Sequence, residues 1–315
     1  MPELPEVETI RRDLAVEITN QPISALKIFS PKTAKNSAAF FKKSLLGASF
    51  SRLGRRGKLL IFSINQPKLI SPRQTRSVHK TNPALFLLIH LKMTGQLIYV
   101  NHQKKIAGGH SLDAKAAKGT ASFSKTVGGD LPNRQTRVML EFKNGGQLFF
   151  NDLRRFGYLK IVSAQELEKI ISTNYGPEPL TVDFSLNNFR LALAERKLKI
   201  KALLLNQKII AGLGNIYVDE SLFAARINPE RLAKSLTPLE IKKLWQVIGQ
   251  IIKKAVFQRG TTFSNYVDSR GRSGNFSRFL KVYGRGGEAC PTCGAPLKKK
   301  KVAGRGTHYC AYCQK

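Results

Sequence analysis

The spacing of apolar residues changes from a mostly β pattern to a helical one at Ala164, and this change constrains the fold most strongly. Before Ala164, and after a helix at the start of the chain, apolar and polar residues alternate at the period of two that is typical of half-buried strands. Strands are predicted at residues 23–30, 50–64, 85–92, 96–100, 138–142, 147–150 and 158–162. After it, the period is helical, with helices predicted at 164–172, 185–197, 199–206, 214–226 and 238–257. The sequence therefore predicts an α+β chain whose β half precedes its helical half.

Two basic stretches and one proline-rich segment divide this pattern. Residues 65–83 and 101–133 have little apolar content, so we predict that both are mobile basic loops rather than strands. The segment Tyr175-Gly176-Pro177-Glu178-Pro179 is typical of a hinge, because proline and glycine interrupt regular structure. We predict four regions along the chain: 1–174, a linker at 175–181, a helical domain at 182–282, and a C-terminal segment at 283–315.

Local turn and capping signals sharpen these predictions. Gly54-Arg55-Arg56-Gly57 interrupts the alternation from Phe50 to Ile64, which predicts a hairpin tip with Lys58 directly after it. Asn144-Gly145 predicts a second hairpin. Thr237 and Glu240 have the spacing of a capping box at the start of the last long helix.

Four cysteines lie close to the end of the chain, in the pattern C-x2-C-x16-C-x2-C. This spacing is that of a zinc site. Four thiolates complete a tetrahedral shell, so the ion would be structural rather than catalytic. The predicted ligands are Cys290, Cys293, Cys310 and Cys313. Two disulfides are the alternative, disfavoured for a chain inside the cell, and His308 is a possible substitute for one thiolate.

The charge balance indicates the kind of partner. The chain has 53 basic and 20 acidic residues, a net charge of +33. Such a field favours nucleic acid, with an anionic membrane surface as the second candidate. No apolar run approaches the length of a spanning helix, and acids stand where a secretory signal would carry basic residues. We expect a soluble, intracellular protein.

The first residues combine an amine with carboxylates. If Met1 is removed, Pro2 becomes a free secondary amine, followed by Glu3 and Glu6. An α-amino group has a pKa of about 7.7–8.0 against about 10.4 for lysine, so far more of it is neutral and nucleophilic at pH 7. A neutral amine can attack a carbon atom that then becomes part of a Schiff base.

The alternative for the same residues is an ordinary helix start. Pro5 suits the first helical position, and acids at this end favour the positive helix N-terminus. The helix would bury one apolar face, formed by Val7, Ile10, Leu14 and Ile18.

Other residues have the chemistry of nucleic-acid contact. Gly212-Leu213-Gly214 before Asn215 would let a phosphate approach backbone N–H groups at a helix start, although an ordinary glycine turn is the alternative. Lys58, Lys201 and Arg305, and the loop from Arg259 to Arg278, could bind phosphate, although any single basic residue is commonly just solvated.

Met93, Arg154 and Phe156 lie near predicted loop tips of the β half. Apolar side chains of this kind can enter a base stack as a wedge, and an arginine can replace an expelled base. The alternatives are that Met93 fills the core and that Asp152 and Arg155 form a surface ion pair.

Taken together, these residues resemble the formamidopyrimidine-DNA glycosylase family. The resemblance covers nearly the whole chain outside the two basic loops. It is carried by residues 1–9 (MPELPEVET), Lys58, 90–95 (HLKMTG), 152–157 (DLRRFG), 176–180 (GPEPL), 214–217 (GNIY) with 220–225 (ESLFAA), 282–285 (VYGR) and the four cysteines.

The resemblance implies an N-terminal β-sandwich domain with flanking helices, a helical domain with a helix–two-turns–helix motif, and a four-cysteine finger holding one structural Zn²⁺. Damaged double-stranded DNA would lie between the domains. The family removes oxidised purines, 8-oxoguanine and formamidopyrimidines, through a Schiff base on the N-terminal proline. It then cuts the abasic site by β,δ-elimination. A cytoplasmic, nucleoid-associated monomer is expected.

Residue roles carry over by position. Pro2 would attack C1′ of the damaged nucleotide, Glu3 would protonate the opening sugar, and Glu6 would assist proton transfer. The expected phosphate contacts are Lys58, His90, Asn215, Tyr283 and Arg305, with Lys58 and Arg305 also counted in the catalytic set. Lys201 would lie near the lesion, and Met93, Arg154 and Phe156 would form the wedge.

The chain departs from the family pattern in four respects. Lys92 stands where the family usually has glycine, and 134–137 (RQTR) replaces a Lys-His-x-His string. The basic stretches at 65–83 and 101–133 are longer than expected, and the lesion-capping loop at about 259–278 matches only in outline. Two alternatives stay open: an endonuclease VIII-like enzyme for oxidised pyrimidines, in which glycine would replace Leu4, and a zinc-containing nucleic-acid-binding protein without catalysis.

Overall fold

The computed structural model describes residues 2–67, 84–109, 124, 127–194, 196–261 and 276–315. Most of the two predicted basic loops, most of the lesion-capping loop, and Met1 lie outside these residues. The described chain divides into two compact units. The first contains Pro2 and residues from Glu6 to Ile170, and the second contains Glu3–Pro5, Ile171–Thr261 and residues 276–315.

The first unit is built on two antiparallel sheets. One has five strands in the order β1-β7-β8-β5-β6 and the other has four in the order β2-β3-β4-β9. The strands are β1 Ile23–Ile28, β2 Ser49–Arg56, β3 Leu59–Asn65, β4 Leu85–His90, β5 Gly95–Val100, β6 Lys105–Gly109, β7 Thr136–Phe142, β8 Gln147–Asp152 and β9 Tyr158–Ser163.

The two sheets share one apolar core, as a β-sandwich requires. Phe62 from the four-stranded sheet and Tyr99 and Phe150 from the five-stranded sheet belong to the same buried cluster. Helix α1 (Leu4–Ile18) adds its apolar face of Val7, Ile10, Leu14 and Ile18 to this core. The predicted sandwich and the predicted buried face of the first helix are both confirmed.

Two local predictions for this unit need correction, and one helix lies outside the predicted elements. Lys105–Gly109 is a strand paired with β5 rather than part of a loop. The first hairpin turns at Gly57 and Lys58, because Arg56 pairs with Leu59, so both arginines belong to β2. Helix α2 (Ala38–Leu45) was not predicted, and it begins at a Ser37 cap. The Asn144-Gly145 hairpin joins β7 to β8 as expected.

The remaining helices follow the predicted order. They are α3 Ala164–Asn174, α4 Leu186–Leu193, α5 Ile200–Leu205, α6 Asn215–Ala225 and α7 Pro238–Phe257. Thr237 and Glu240 form the predicted capping box of α7. In the second unit, α6 packs against α5, α7 and strand β11 (Arg305–Tyr309), which pairs with β10 (Lys298–Val302). Nearly every residue of α6 is buried, which makes it the central element of this unit.

None of the described helices combines the length and the apolar character needed to cross a membrane.

Candidate functional site

The N-terminus of α6 holds the carboxylate of Glu3. This side chain is only 2% exposed. Its Oε1 accepts the backbone N–H of Ile216 at 3.0 Å, and the Tyr217 N–H lies 3.5 Å from Oε2. An anion is favoured there because the first N–H groups of a helix lack intrahelical partners and form the positive end of its dipole. Glu3 is therefore fixed in position next to Asn215.

The two glycines before α6 make room for this N-terminal segment. A Cβ on Gly214 would lie 2.3 Å from Cδ of Glu3, and one on Gly212 would lie 2.5 Å from Cδ1 of Leu4. Leu4 also donates its N–H to the Gly212 carbonyl at 3.1 Å. The N–H groups of Ile216 and Tyr217, considered above as phosphate donors, are thus occupied by the chain's own carboxylate.

A buried ion pair joins α5 to α6. Lys201 and Asp219 are both fully buried, and Nζ lies 2.5 Å from Oδ1. Burial lowers the pKa of Lys201 and raises that of Asp219 to about 6, while the attraction between the two charges opposes both shifts. The other carboxylate oxygen of Asp219 accepts the backbone N–H of His308 at 2.9 Å. Lys201 also lies 3.4 Å from the Gly306 carbonyl oxygen.

The β10–β11 hairpin brings more of the predicted residues to the start of α6. Nδ2 of Asn215 donates to the Gly306 carbonyl at 2.8 Å, and its buried Oδ1 has no hydrogen-bond partner. The ring of Tyr283 meets that of His308 edge to face at 5.3 Å. Arg305 is exposed at the first position of β11. The second unit therefore gathers Glu3, Lys201, Asn215, Tyr283 and Arg305 around one helix end and one hairpin.

Glu220 has a structural role that sequence reasoning missed. Its carboxylate is buried and accepts three consecutive backbone N–H groups, from Lys281 at 2.9 Å, Val282 at 2.9 Å and Tyr283 at 2.8 Å. These contacts fix the segment that leads into the cysteine-containing region. The available signal was the adjacent pair of acids, Asp219 and Glu220, within an otherwise apolar helix.

In the first unit, Met93, Arg154 and Phe156 come together. The loops β4–β5 and β8–β9 both cross from one sheet to the other. Nη1 of Arg154 lies 3.4 Å from Sδ of Met93, and its guanidinium lies 5.1 Å from the centre of the Phe156 ring. Phe156 is 55% exposed. We refer to these three residues as the wedge.

Asp152 ties the two wedge loops together. It is fully buried, so the surface pair with Arg155 is wrong. Oδ1 accepts the hydroxyl of Thr94 at 2.5 Å and the N–H of Arg154 at 3.2 Å, while Oδ2 accepts the N–H of Gly157 at 2.7 Å. One carboxylate thus binds both loops and sets the spacing of the wedge.

We expect Asp152→Ala to lower the free energy of unfolding by about 2–4 kcal/mol, because buried donors would lose a charged acceptor. Asp183→Ala, at an exposed position, is the matched control and should change it by less than about 0.5 kcal/mol. Urea unfolding of both variants measures the difference. Equal effects would show that Asp152 does not anchor the loops.

His90 is held as a neutral ring at the end of β4. Its Nδ1 accepts the backbone N–H of Lys92 at 3.0 Å, so the ring proton lies on Nε2. Burial lowers the pKa of His90 to about 3, and the charges of Lys92 and Lys58 act in the same direction. His90 can therefore donate a hydrogen bond from Nε2 without carrying a charge.

Three other predicted site residues of the first unit are buried. Lys58 and Glu6 are 6% and 3% exposed, and Pro2 is also buried.

The four cysteines have the geometry of a zinc site. Their Sγ atoms all lie within 4.8 Å of one another, with Cys290 and Cys313 at 3.9 Å and Cys293 and Cys310 at 3.5 Å. A tetrahedron with Zn–S bonds of about 2.3 Å has sulfur atoms about 3.8 Å apart. A disulfide needs about 2.05 Å, so that alternative is wrong, and His308 is not one of this set. The cysteines hold one structural zinc ion.

Comparisons with known proteins agree along the whole chain. Residues 1–159 match the formamidopyrimidine-DNA glycosylase N-terminal domain, 175–266 the formamidopyrimidine-DNA glycosylase H2TH domain, and 287–315 the zinc finger found in FPG and IleRS. Formamidopyrimidine-DNA glycosylases of Desulforamulus reducens and Pelotomaculum thermopropionicum are 40% and 37% identical, over 100% of this chain and 99% of each relative.

One solved structure also aligns with this chain over its full length. It is a complex of wild-type Lactococcus lactis Fpg (MutM) with DNA containing N7-benzyl-Fapy-dG, with a TM-score of 0.79 and 34% identity over 100% of both chains. A second match is described as the same enzyme with DNA containing an oxidised pyrimidine, again at 0.79 and 34%. With domains, order and zinc ligands all in agreement, this chain belongs to the formamidopyrimidine-DNA glycosylase family.

Proposed function

We propose that this chain is a base-excision repair enzyme that removes oxidised purines from duplex DNA and then cuts the strand at the abasic site. The observation that carries the proposal is the carboxylate of Glu3, buried at the N-terminus of α6 directly after Pro2. In a protein that only binds nucleic acid, the backbone N–H groups at this helix start would be available to a phosphate. Here they bind the carboxylate of Glu3 instead. That arrangement suits proton transfer beside a nucleophile.

In the proposed reaction, the nitrogen of Pro2 bonds to C1′ while the bond from C1′ to the damaged base breaks. The carboxylate of Glu3 takes up the proton that the Pro2 nitrogen loses and delivers it to O4′ as the C1′–O4′ bond opens, and a Schiff base remains. Glu6 assists the proton transfers. Two successive eliminations break the C3′–O and C5′–O bonds, which leaves a gap with phosphate at both ends. The base must first leave the stack for its sugar to be reached.

DNA contacts are assigned to residues whose side chains have the appropriate chemistry. Lys58, His90, Asn215, Tyr283 and Arg305 bind backbone phosphates, with His90 as a neutral donor. The wedge fills the space that the expelled base leaves. Lys201 acts differently, because its ammonium is already bonded to Asp219. We assign it to positioning the Gly306 and His308 backbone close to the lesion.

An activity for oxidised pyrimidines is the second candidate, because one matching structure is described as containing such a lesion. Leu4, which is buried in the core of the second unit, stands where the pyrimidine enzymes typically have glycine and favours purines. We further propose that the protein acts as a monomer in the cytoplasm, on the nucleoid.

Cleavage of defined duplexes tests the function. Zinc-loaded protein, shown by intact mass to lack Met1, would be incubated with duplexes carrying 8-oxoguanine opposite cytosine, a formamidopyrimidine, or an oxidised pyrimidine. We expect faster cleavage at the two purine lesions, with phosphate at both ends of the gap. Preferred cleavage at the pyrimidine would favour the second candidate. Binding without cleavage of any duplex would favour the non-catalytic protein.

Binding is expected to depend steeply on salt. If about five to eight phosphates are contacted, the slope of log affinity against log salt should be roughly −4 to −7, because counterions are released. Arg305→Gln should make the slope less steep by about 0.9. Arg190→Gln, at an exposed position of α4, is the control and should leave it unchanged. Fluorescence anisotropy at several salt concentrations gives both values, and a slope near zero would contradict the phosphate contacts.

A further inference from the structure

Lys92 has an unusual backbone conformation beside the wedge. Its φ is +50°, in the left-handed region that is unfavourable for a residue with a Cβ. The turn that contains it is tight: the Gly95 N–H donates to the Leu91 carbonyl at 2.9 Å. Lys92 does not end a helix, unlike Arg226, which adopts the same conformation as the C-cap of α6. A non-glycine residue at such a position calls for a compensating role.

The backbone of Lys92 does not supply that role. Its N–H orients His90 by donating to Nδ1 at 3.0 Å, but glycine has the same N–H and adopts a positive φ without strain. The reason for a lysine must therefore lie in its side chain.

The side chain of Lys92 offers an exposed positive charge. The residue is exposed, and its Nζ lies 5.8 Å from the centre of the Tyr158 ring. No carboxylate of the described residues forms an ion pair with it. The next residue is Met93, whose sulfur contacts Arg154, and the neighbouring His90 ring is neutral. The charge therefore lies near the Tyr158 ring, on the residue that directly precedes Met93 of the wedge.

We propose that Lys92 binds a backbone phosphate of the duplex beside the wedge, and that the chain retains the strained conformation for this contact. The inference rests on the proposed DNA-repair function and adds a binding residue to it. An ammonium on a flexible stem binds phosphate as a point charge. The contact contributes to affinity without taking part in bond breaking.

Lys92→Gly tests the proposal because it changes stability and affinity in opposite directions. It removes both the strain and the charge but keeps the N–H that orients His90. We expect the melting temperature to rise by a few degrees. We expect affinity for damaged duplex to fall roughly eightfold at 0.1 M salt, with a slope less steep by about 0.9, as for one lost phosphate contact.

Three further variants separate the causes. Lys92→Arg keeps the charge and should keep the affinity. Lys92→Asn removes the charge but tolerates a positive φ, so it should lose affinity as the glycine variant does. Asn20→Gly relieves the strain of a positive φ at an exposed site in the same unit and should not change DNA binding. A Lys92→Gly protein that is more stable but binds with unchanged affinity and slope would overturn the proposal, whereas wild-type protein that fails to bind DNA would overturn the proposed function itself.

Discussion

Borohydride reduction during turnover is expected to link this chain covalently to damaged DNA through Pro2. Reduction converts the Schiff base into a stable amine, so the trapped adduct reports the nucleophile directly. The experiment uses the 8-oxoguanine duplex and locates the modified residue by mass spectrometry. Because about a tenth of α-amines are neutral at pH 7 against a few in ten thousand lysines, the amine of Pro2 is the expected site.

Protein that retains Met1 is the most informative control, because it changes no catalytic side chain. A chain that retains Met1 has Pro2 as a tertiary amide, which cannot attack C1′, although every other residue is present. We expect its adduct to fall by at least about 100-fold, because a displaced amine loses the advantage of a fixed position. Pro2→Gly, once Met1 is removed, replaces the secondary amine with a primary amine and loses the rigid ring, and should also trap poorly.

The outcome decides between the functions. An adduct at Pro2 that disappears when Met1 is retained supports the Schiff-base mechanism. An equal adduct in both forms would place the nucleophile on a lysine and contradict the role of Pro2. No adduct with any lesion, from protein that binds the duplex, would leave a DNA-binding protein without lyase chemistry.

The first unit shows what periodicity can and cannot predict. The alternation of β3 and β7 predicts strands because alternate side chains, such as Leu60, Phe62 and Ile64 of β3, point towards the shared core. The sequence of strand β6 predicts a loop, because Ala107, Gly108 and Gly109 carry almost no side-chain signal. Gly108 is small for a reason of packing: a Cβ there would lie 2.3 Å from Cγ1 of Ile10 in α1. Such contacts depend on distant residues, and a local pattern does not contain them.

Charged residues were harder to place than apolar ones. A carboxylate is normally expected at the surface, so Asp152 was considered for a surface pair, and the anchoring roles of Asp219 and Glu220 were missed. All three are buried because backbone N–H groups, hydroxyls or an ammonium satisfy them. The contact of Glu3 with Ile216 joins residues far apart in sequence, so composition and spacing could supply the acid but not the helix that holds it.

Removing one partner of the buried pair Lys201–Asp219 is expected to destabilise the protein strongly. Lys201→Met is expected to lower the free energy of unfolding by about 3–5 kcal/mol, because the carboxylate of Asp219 would stay buried without its counter-charge. Asp219→Leu should cost a similar amount, and would also leave the His308 N–H without its acceptor. Urea unfolding of the zinc-loaded protein measures both.

The double variant, Lys201→Met with Asp219→Leu, should be far less destabilised than the sum of the single variants, since removing both charges also removes the desolvation penalty. The control is the solvent-accessible pair of Lys199 and Glu230, in which Glu230 also bonds to Lys300. Its coupling should be below about 1 kcal/mol, as expected of a solvated ion pair. A coupling between Lys201 and Asp219 no larger than the control would show that the charges do not depend on each other.

The DNA affinity and cleavage rate of the same double variant show whether Lys201 and Asp219 only fill space or also position the neighbouring backbone. If Lys201 and Asp219 only fill space, a stable double variant should cleave damaged DNA at the wild-type rate. If they position the Gly306 and His308 backbone, it should bind DNA more weakly although its stability is restored. We expect the second result, because Lys201 and Asp219 contact that backbone directly and the exposed Arg305 immediately precedes it. Wild-type affinity in the restored variant would assign the pair to stability alone.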